Sequence, residues 1–236
     1  MPSRWDEVTV DGAAMRCYVA TPEAAGPHAA VLVAQHAGGV DEFIRTMSDR
    51  FAEAGFVAIA PDLYHREDPN SGDDAMRRMM RLRDVNILRD CGAALDHVRS
   101  LPEARGDLAG VTGFCMGGRV AYLMAAQDPA LKASVVFYGG SIMAAWGEGG
   151  PAPFDISERI NCPMLGLFGE DDANPNPDDV AKIDAELKRL GKPHEFHSYK
   201  GAGHAFMSEG RPSHRPDAAA DAWEKCTGWF HRHLAG

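Results

Sequence analysis

The stretch Gly113-Phe114-Cys115-Met116-Gly117-Gly118 lies between an apolar run at 110–114 and a helical run that starts at 119. It has the Gly-x-nucleophile-x-Gly form of a nucleophile elbow, with cysteine where serine is usual. A turn that lifts a side chain off a strand end strains the backbone, and the flanking glycines let strand and helix pass closely. The helix N-terminus after Cys115 also favours a thiolate or an oxyanion. The stretch therefore predicts a nucleophilic cysteine, although a free cysteine without this context is usually a small buried residue.

Strand-length apolar runs alternate with helical segments over most of the chain. The predicted strands cover 16–21, 30–35, 56–60, 110–114, 133–138, 164–168 and 195–199, and helices are predicted over 41–54, over 180–190 and from about Pro216. This alternation predicts an α/β fold, a mostly parallel sheet with helices on both faces. A turn at Asp11 and Gly12 predicts an antiparallel addition at one edge. One domain over 1–236 is expected, and the segment between 138 and 164 is too short for a large lid domain.

Composition and charge narrow the possible classes of function. The 236 residues are 45% hydrophobic and 25% charged, close to the averages for globular proteins. The formal net charge of −10 disfavours nucleic acid and anionic membranes as partners. No run approaches the roughly 18 apolar residues of a membrane span, and the N-terminus lacks the apolar core of a signal peptide, so a cytoplasmic location is expected. Five cysteines without CxxC spacing predict free thiols and no metal site.

A cysteine nucleophile needs a base, and the base needs an orienting acid. In α/β-hydrolases the chain order is nucleophile, acid, histidine. Asp171 and Asp172 both follow the predicted strand at 164–168, and His204 follows the strand that ends at 199. Because the ends of parallel strands share one sheet edge, these side chains are expected to meet Cys115.

The segment Gln35-His36-Ala37-Gly38-Gly39 directly follows an early strand. Oxyanion holes in such folds take one backbone N–H from the residue after the nucleophile and another from a loop of this kind. The predicted donors are Met116 and Ala37. The two glycines also fit a simple turn into the next helix.

Together these pieces resemble the dienelactone hydrolase family of α/β-hydrolases, from about residue 15 to the C-terminus. The matching segments are VAQHAGGV at 33–40, FVAIAPDLY at 56–64, GFCMGG at 113–118, FYGG at 137–140, GEDD at 169–172 and GAGHAF at 201–206. The resemblance implies Cys115 as nucleophile and His204 as base, with no cofactor. It implies Asp171 rather than Asp172 as the acid, because the family pattern Gly-x-Asp with proline four residues later fits Asp171 and Pro175.

Two positions depart from the best-known members of the family. They have a glutamate where this chain has His36, and an arginine that binds the substrate carboxylate where it has Ser208. The basic run Arg77, Arg78, Arg81 and Arg83 could replace that arginine or form a solvated helix face. The residues expected to line the substrate pocket are His36, Tyr64, Arg81, Tyr138 and Phe206.

The expected activity is the opening of lactones or the cleavage of small carboxylic esters through a thioester acyl-enzyme. The small-molecule ester or lactone is the expected partner. A thioesterase or a broader carboxylesterase with the same triad is one alternative. A non-catalytic binding or redox protein that uses Cys115 as a sensor thiol is another. A monomer is the default expectation, and a dimer is an alternative.

Overall fold

Eight strands form one sheet in the computed structural model, which describes residues 2–68 and 70–235. The strands are β1 Ser3–Val10, β2 Ala13–Ala20, β3 His28–Ala34, β4 Val57–Pro61, β5 Ala104–Phe114, β6 Ala133–Phe137, β7 Met164–Gly169 and β8 His194–Tyr199. They lie in the order β1-β2-β4-β3-β5-β6-β7-β8. The pairs β1–β2 and β2–β4 are antiparallel, and the other five are parallel. The predicted parallel sheet with an antiparallel edge is confirmed.

Helices cover both faces of this sheet. They are α1 Glu42–Glu53, α2 Ala75–Arg81, α3 Asp84–Ser100, α4 Met116–Gln127, α5 Pro177–Arg189 and α6 Pro216–His233, with a 3₁₀ helix at Pro153–Arg159. Buried side chains of α3, α4 and α5 pack against one face, and those of α1 and α6 pack against the other. The central strands are apolar at nearly every position because neither face meets water.

Three fully buried strands lie within one residue of their predicted bounds, and so does the partly exposed β8. Every residue of β4, β6 and β7 is buried. By contrast, β5 begins at Ala104, six residues before the predicted start. Its first half contains the exposed residues Gly106 and Asp107, so no apolar run marks it. The segment between β6 and β7 contains the short 3₁₀ helix at Pro153–Arg159 and no lid domain.

The parallel arrangement brings several loops to the carboxyl edge of the sheet. The register pairs Ala34 with Gly113 and Phe114 with Phe137, so β3, β5 and β6 end side by side. Farther along, Gly169 pairs with Tyr199 at the ends of β7 and β8. The loops that follow these strands therefore meet at one edge, where open α/β sheets bind their ligands. None of the described helices has the length and apolarity needed to cross a bilayer.

Candidate active site

Cys115 lies at the bend between β5 and α4 and has φ 59° and ψ −120°. This positive φ is strained for a residue with a side chain, and such strain often occurs at functional sites. A Cβ atom on Gly113 would overlap the carbonyl oxygen of Gly117, and one on Gly117 would overlap that of Ala34. The two glycines are therefore required because the backbones of β3, β5 and α4 touch at the elbow.

The Cys115 side chain lies near an imidazole and two backbone N–H groups. The His204 ring and the N–H groups of Met116 and Ala37 are close enough to the sulfur to favour its thiolate form. His204 Nδ1 lies 2.8 Å from Oδ2 of Asp172, which leaves Nε2 for the sulfur. The structure thus places a thiol, an imidazole and a carboxylate next to one another.

The carboxylate that contacts His204 belongs to Asp172, whereas Asp171 was the expected acid. The Asp172 side chain is 1% exposed and holds His204, whereas Asp171 is exposed. The backbone N–H of Asp171 donates to the carbonyl of Ala202 at 2.9 Å. The turn that begins at Gly169 therefore directs the second aspartate inward, one residue later than the family pattern implied.

Burial and hydrogen bonding shift the pKa of the Cys115 thiol in opposite directions, and the same is true of the His204 imidazole. Burial raises the pKa of the Cys115 thiol, but the hydrogen bonds from His204, Met116 and Ala37 outweigh it and hold this pKa below its usual value. Burial lowers the pKa of the His204 imidazole, but Asp172 and Cys115 together raise it to about 10. Between these two pKa values the sulfur is a thiolate and the ring is an imidazolium. A nucleophile and a proton donor are therefore present together.

Tyr64 supports the loop that carries the Ala37 N–H. Its hydroxyl donates to the Ala37 carbonyl at 2.9 Å, and the side chain is buried. The loop is closed further by a hydrogen bond from the Gly39 N–H to the His36 carbonyl at 3.0 Å. The expectation that Tyr64 lines the pocket is corrected, because its ring lies beneath the loop rather than in an opening.

His36 is paired with an aspartate that the sequence analysis did not identify. Its Nε2 atom lies 2.7 Å from Oδ2 of Asp41, and its side chain is 13% exposed. The other carboxylate oxygen of Asp41 accepts from the Ile44 N–H and caps α1. Asp and Asn are typical N-caps, so the sequence contained a signal for the cap but none for the histidine contact.

Tyr138 and Phe206, both expected in the pocket, are buried beside the base. The Tyr138 ring makes edge contacts with the rings of His204 at 5.3 Å and Phe206 at 5.2 Å. Tyr138 is 1% exposed and Phe206 is fully buried. They pack behind the imidazole and support it, so the pocket expectation is corrected for these two residues as well.

Arg81 forms ion pairs on the protein surface. Its guanidinium contacts Glu67 at 3.1 Å and Asp73 at 3.0 Å, and its side chain is 46% exposed. Arg78 contacts the same Glu67 at 3.0 Å and lies over the Tyr64 ring. Within residues 2–68 and 70–235, the side-chain partners of Arg81 are these two carboxylates.

Asn174 connects the acid loop to the segment after β6, and the sequence analysis missed it. Its backbone N–H donates to Asp172 Oδ1 at 2.8 Å. Its side-chain oxygen accepts from the Ser141 N–H at 2.9 Å. No sequence motif marks this residue, because the contact depends on the fold bringing two distant loops together.

A cavity of about 530 Å³ lies beside the loops that carry Ala37 and His204. Its lining comes from α1 and from the turn after His204, namely Glu42, Phe43, Thr46, Met47, Arg50, Met207 and Glu209. The Phe43 ring lies 5.1 Å from that of Phe114, which directly precedes Cys115. The cavity lining contains none of Cys115, His204 and Asp172. No group of three or more His, Cys, Asp or Glu side chains in the described part of the chain is arranged to hold a metal ion.

The fold and the elbow together define an α/β-hydrolase. A mostly parallel sheet with helices on both faces ends in a strained strand-turn-helix bend, and the histidine follows the last strand. The dienelactone hydrolase family model matches residues 15–234, and the chain belongs to that family. It is a hydrolase that acts on carboxylic ester or lactone bonds.

Similar proteins agree with this assignment over nearly the whole chain. A protein of Escherichia coli strain K12 named "Putative carboxymethylenebutenolidase" is 36% identical and aligns over 93% of this chain and 83% of its own length. A protein of the same name from Methylorubrum extorquens is 32% identical over 92% of this chain and 76% of its own length. The crystal structure titled "Putative Dienelactone Hydrolase" from Klebsiella pneumoniae superposes with a TM-score of 0.87 at 34% identity, and covers 98% of this chain and 100% of its own.

Proposed function

We propose that this chain opens lactones and cleaves small carboxylic esters with Cys115 as nucleophile, His204 as base and Asp172 as orienting acid. The observation that supports this most directly is the 2.8 Å contact between Asp172 Oδ2 and His204 Nδ1, with the Cys115 thiol close enough to the same imidazole for each to shift the pKa of the other. A small-molecule ester or lactone is the substrate class that the family assignment supports.

Acylation begins when the Cys115 thiolate attacks the carbonyl carbon of the substrate. The new C–S bond moves the carbonyl electron pair onto oxygen, and the N–H groups of Ala37 and Met116 stabilise that oxyanion. When the intermediate collapses, the C–O bond to the alcohol breaks and the His204 imidazolium gives its proton to the leaving oxygen. In a lactone the alcohol stays attached to the acyl group. Each oxyanion donor of this kind is worth about 3 to 4 kcal/mol.

Deacylation uses the same groups in reverse order. Neutral His204, oriented by Asp172, takes a proton from water as the water oxygen attacks the thioester carbon. The second tetrahedral intermediate collapses with cleavage of the C–S bond, and the thiolate and the imidazolium form again. The products are a carboxylic acid and an alcohol, or one hydroxy acid from a lactone.

The ion pairs that Arg78 and Arg81 already form favour a broader carboxylesterase activity. The guanidinium groups of Arg78 and Arg81 are already paired with Glu67, and Arg81 also with Asp73. A substrate carboxylate would have to displace these partners. Uncharged esters avoid that competition, so we expect turnover of simple uncharged esters in addition to lactones.

Turnover of p-nitrophenyl acetate and of a simple lactone tests the proposal. We expect Cys115→Ala and His204→Ala to lower kcat/KM by at least about 10³-fold, because triad members act as one unit. Cys162→Ala, at a buried cysteine outside the site, is the matched control and should keep parent turnover. Mass spectrometry of the quenched reaction should show one acetyl group on Cys115. Undiminished turnover in either triad variant, or an acetyl group on another residue, would contradict the mechanism.

A further inference from the structure

The His36–Asp41 pair forms a second aspartate-histidine contact next to the nucleophile, distinct from that of Asp172 and His204. The atoms His36 Nε2 and Asp41 Oδ2 are 2.7 Å apart, the short separation of a charge-assisted hydrogen bond. Asp41 is anchored independently, because its Oδ1 atom accepts from the Ile44 N–H at 3.2 Å. The histidine ring is thus tied to the first turn of α1.

Gly38 makes room for this contact. A Cβ atom at that position would lie 2.8 Å from His36 Nε2 and 2.9 Å from Asp41 Oδ2. Both distances are shorter than real Cβ contacts, so any larger residue would force the pair apart. Glycine at position 38 therefore leaves room for the short contact between His36 and Asp41.

The pair also fixes the backbone at an oxyanion donor. His36 directly precedes Ala37, whose N–H meets the Cys115 sulfur. The His36 carbonyl accepts from the Gly39 N–H, and the ring makes an edge contact of 5.6 Å with Phe43 of α1. Residue 36 is held by its carbonyl and its side chain together, which restricts the orientation of the next peptide N–H.

We propose that His36 is a positioning residue whose hydrogen bond to Asp41 aims the Ala37 N–H at the reacting centre. The catalytic consequence rests on the proposed function, whereas the effect on the sulfur in the free protein does not. Asp41 suits this role because it stays ionised: burial raises the pKa of its carboxyl, but the hydrogen bond from His36 and those from the backbone of α1 outweigh burial and lower it.

A pair of variants of nearly equal size separates the hydrogen bond from the bulk of the side chain. His36→Gln retains an N–H donor that can reach Asp41, and His36→Met does not. We expect His36→Met to raise the pKa of the Cys115 thiol, because the sulfur loses a well-aligned N–H. It should also lower kcat for p-nitrophenyl acetate about tenfold with KM within about a factor of two, because the donor is displaced rather than removed. His36→Gln should recover most of both losses.

The thiol pKa is read from the ultraviolet absorbance of the thiolate, with Cys115→Ala as the baseline. Asp41→Ser is the second arm, since serine can still cap α1 but is too short to reach His36. It should behave like His36→Met. Parent values for thiol pKa and kcat in His36→Met or Asp41→Ser, or equal losses in His36→Gln and His36→Met, would overturn the inference. If the parent hydrolyses no ester the proposed function fails, and the thiolate titration alone then decides the inference.

Discussion

Asp171 and Asp172 are neighbours in the sequence, but one side chain is exposed and the other is almost fully buried. Asp172 is sealed against His204, and Asp171 faces solvent. The sequence places both residues at the end of β7, and either could be the acid on spacing alone. The choice depends on the turn from Gly169 to Asp172, whose hydrogen bonds involve the distant Ala202. A local motif does not contain that information, which is why the family pattern pointed to the neighbour that does not contact His204.

The two aspartates provide a matched test at the residue scale. Asp172→Asn should lower kcat/KM about 10³-fold, because an amide neither orients the imidazole nor stabilises its charge. Asp171→Asn should stay within about a factor of two of the parent. Asp172→Asn should also move the alkaline limb of the pH–rate profile to lower pH, because Asp172 raises the pKa of His204. Both effects are measured with the same ester over a pH series.

Equal losses in the two variants, or a larger loss in Asp171→Asn, would contradict this assignment of the acid. Circular dichroism of each variant checks that any loss of activity is not a loss of fold.

Among the elements, α3 and α4 are joined by a buried arginine. Arg119 on α4 is fully buried and makes a two-pronged contact with Asp84 at the start of α3. It also donates to the carbonyls of Ser141 and Ala144, and it lies over the Trp146 ring at 4.2 Å. This one side chain ties the loop after β6 to two helices. A buried charge with so many partners cannot lose them without a large penalty.

Removal of this arginine should therefore destabilise the fold. Arg119→Met is expected to lower the free energy of unfolding by about 3 to 5 kcal/mol, because Asp84 and two carbonyl groups lose their donor in a largely buried place. Arg189→Met on α5 removes an exposed ion pair with Glu186 and should leave the stability close to that of the parent. Urea unfolding followed by circular dichroism measures both. Equal stability of Arg119→Met and the parent would show that the contacts of Arg119 contribute little to the free energy of unfolding.

Burial explains part of the predictability of the elements, although β8 matches its predicted bounds to within one residue without a buried residue. Strands covered on both faces are continuous apolar runs, so β4, β6 and β7 lie close to their predicted bounds. No helix is predicted over 84–100, although Ile87, Cys91 and Leu95 of α3 are buried at helical spacing. The signal for α3 is present in the sequence. For α2, none of whose residues is buried, periodicity offers no comparable signal.

Over the whole molecule, one thiol differs from the other four. The pKa of Cys115 lies below its usual value, whereas burial raises the pKa of Cys17 and Cys162 to about 12 and also raises those of Cys91 and Cys226. The thiolate, not the thiol, reacts with alkylating agents. Reactivity of the folded protein at neutral pH should therefore be concentrated at a single residue.

Iodoacetamide labelling as a function of pH tests this expectation. The rate at Cys115 should rise as pH passes upward through its lowered pKa, and this rise should occur at a lower pH than for an ordinary thiol. The other four cysteines should be labelled only after unfolding. Peptide mass spectrometry at each pH gives the site and the rate. Earlier labelling of any other cysteine would count against activation of Cys115 by His204.

The sequence was most informative about the architecture of the whole molecule. The α/β class, the parallel sheet and the position of the loops at its carboxyl edge follow from patterns that solvent exclusion imposes on many residues at once. The single-domain organisation, the monomer and the cytoplasmic location stay predictions. The side-chain pairs, such as His36 with Asp41, could not be predicted in the same way because each depends on one local turn.

The close packing at Gly113 and Gly117 fixes the backbone of the elbow independently of the nucleophilic side chain. The conformation at position 115 is imposed by main chains in contact at Gly113 and Gly117, and the sulfur plays no part in those contacts. Exchange of one nucleophilic atom for another at this position therefore alters reactivity while the architecture stays as it is.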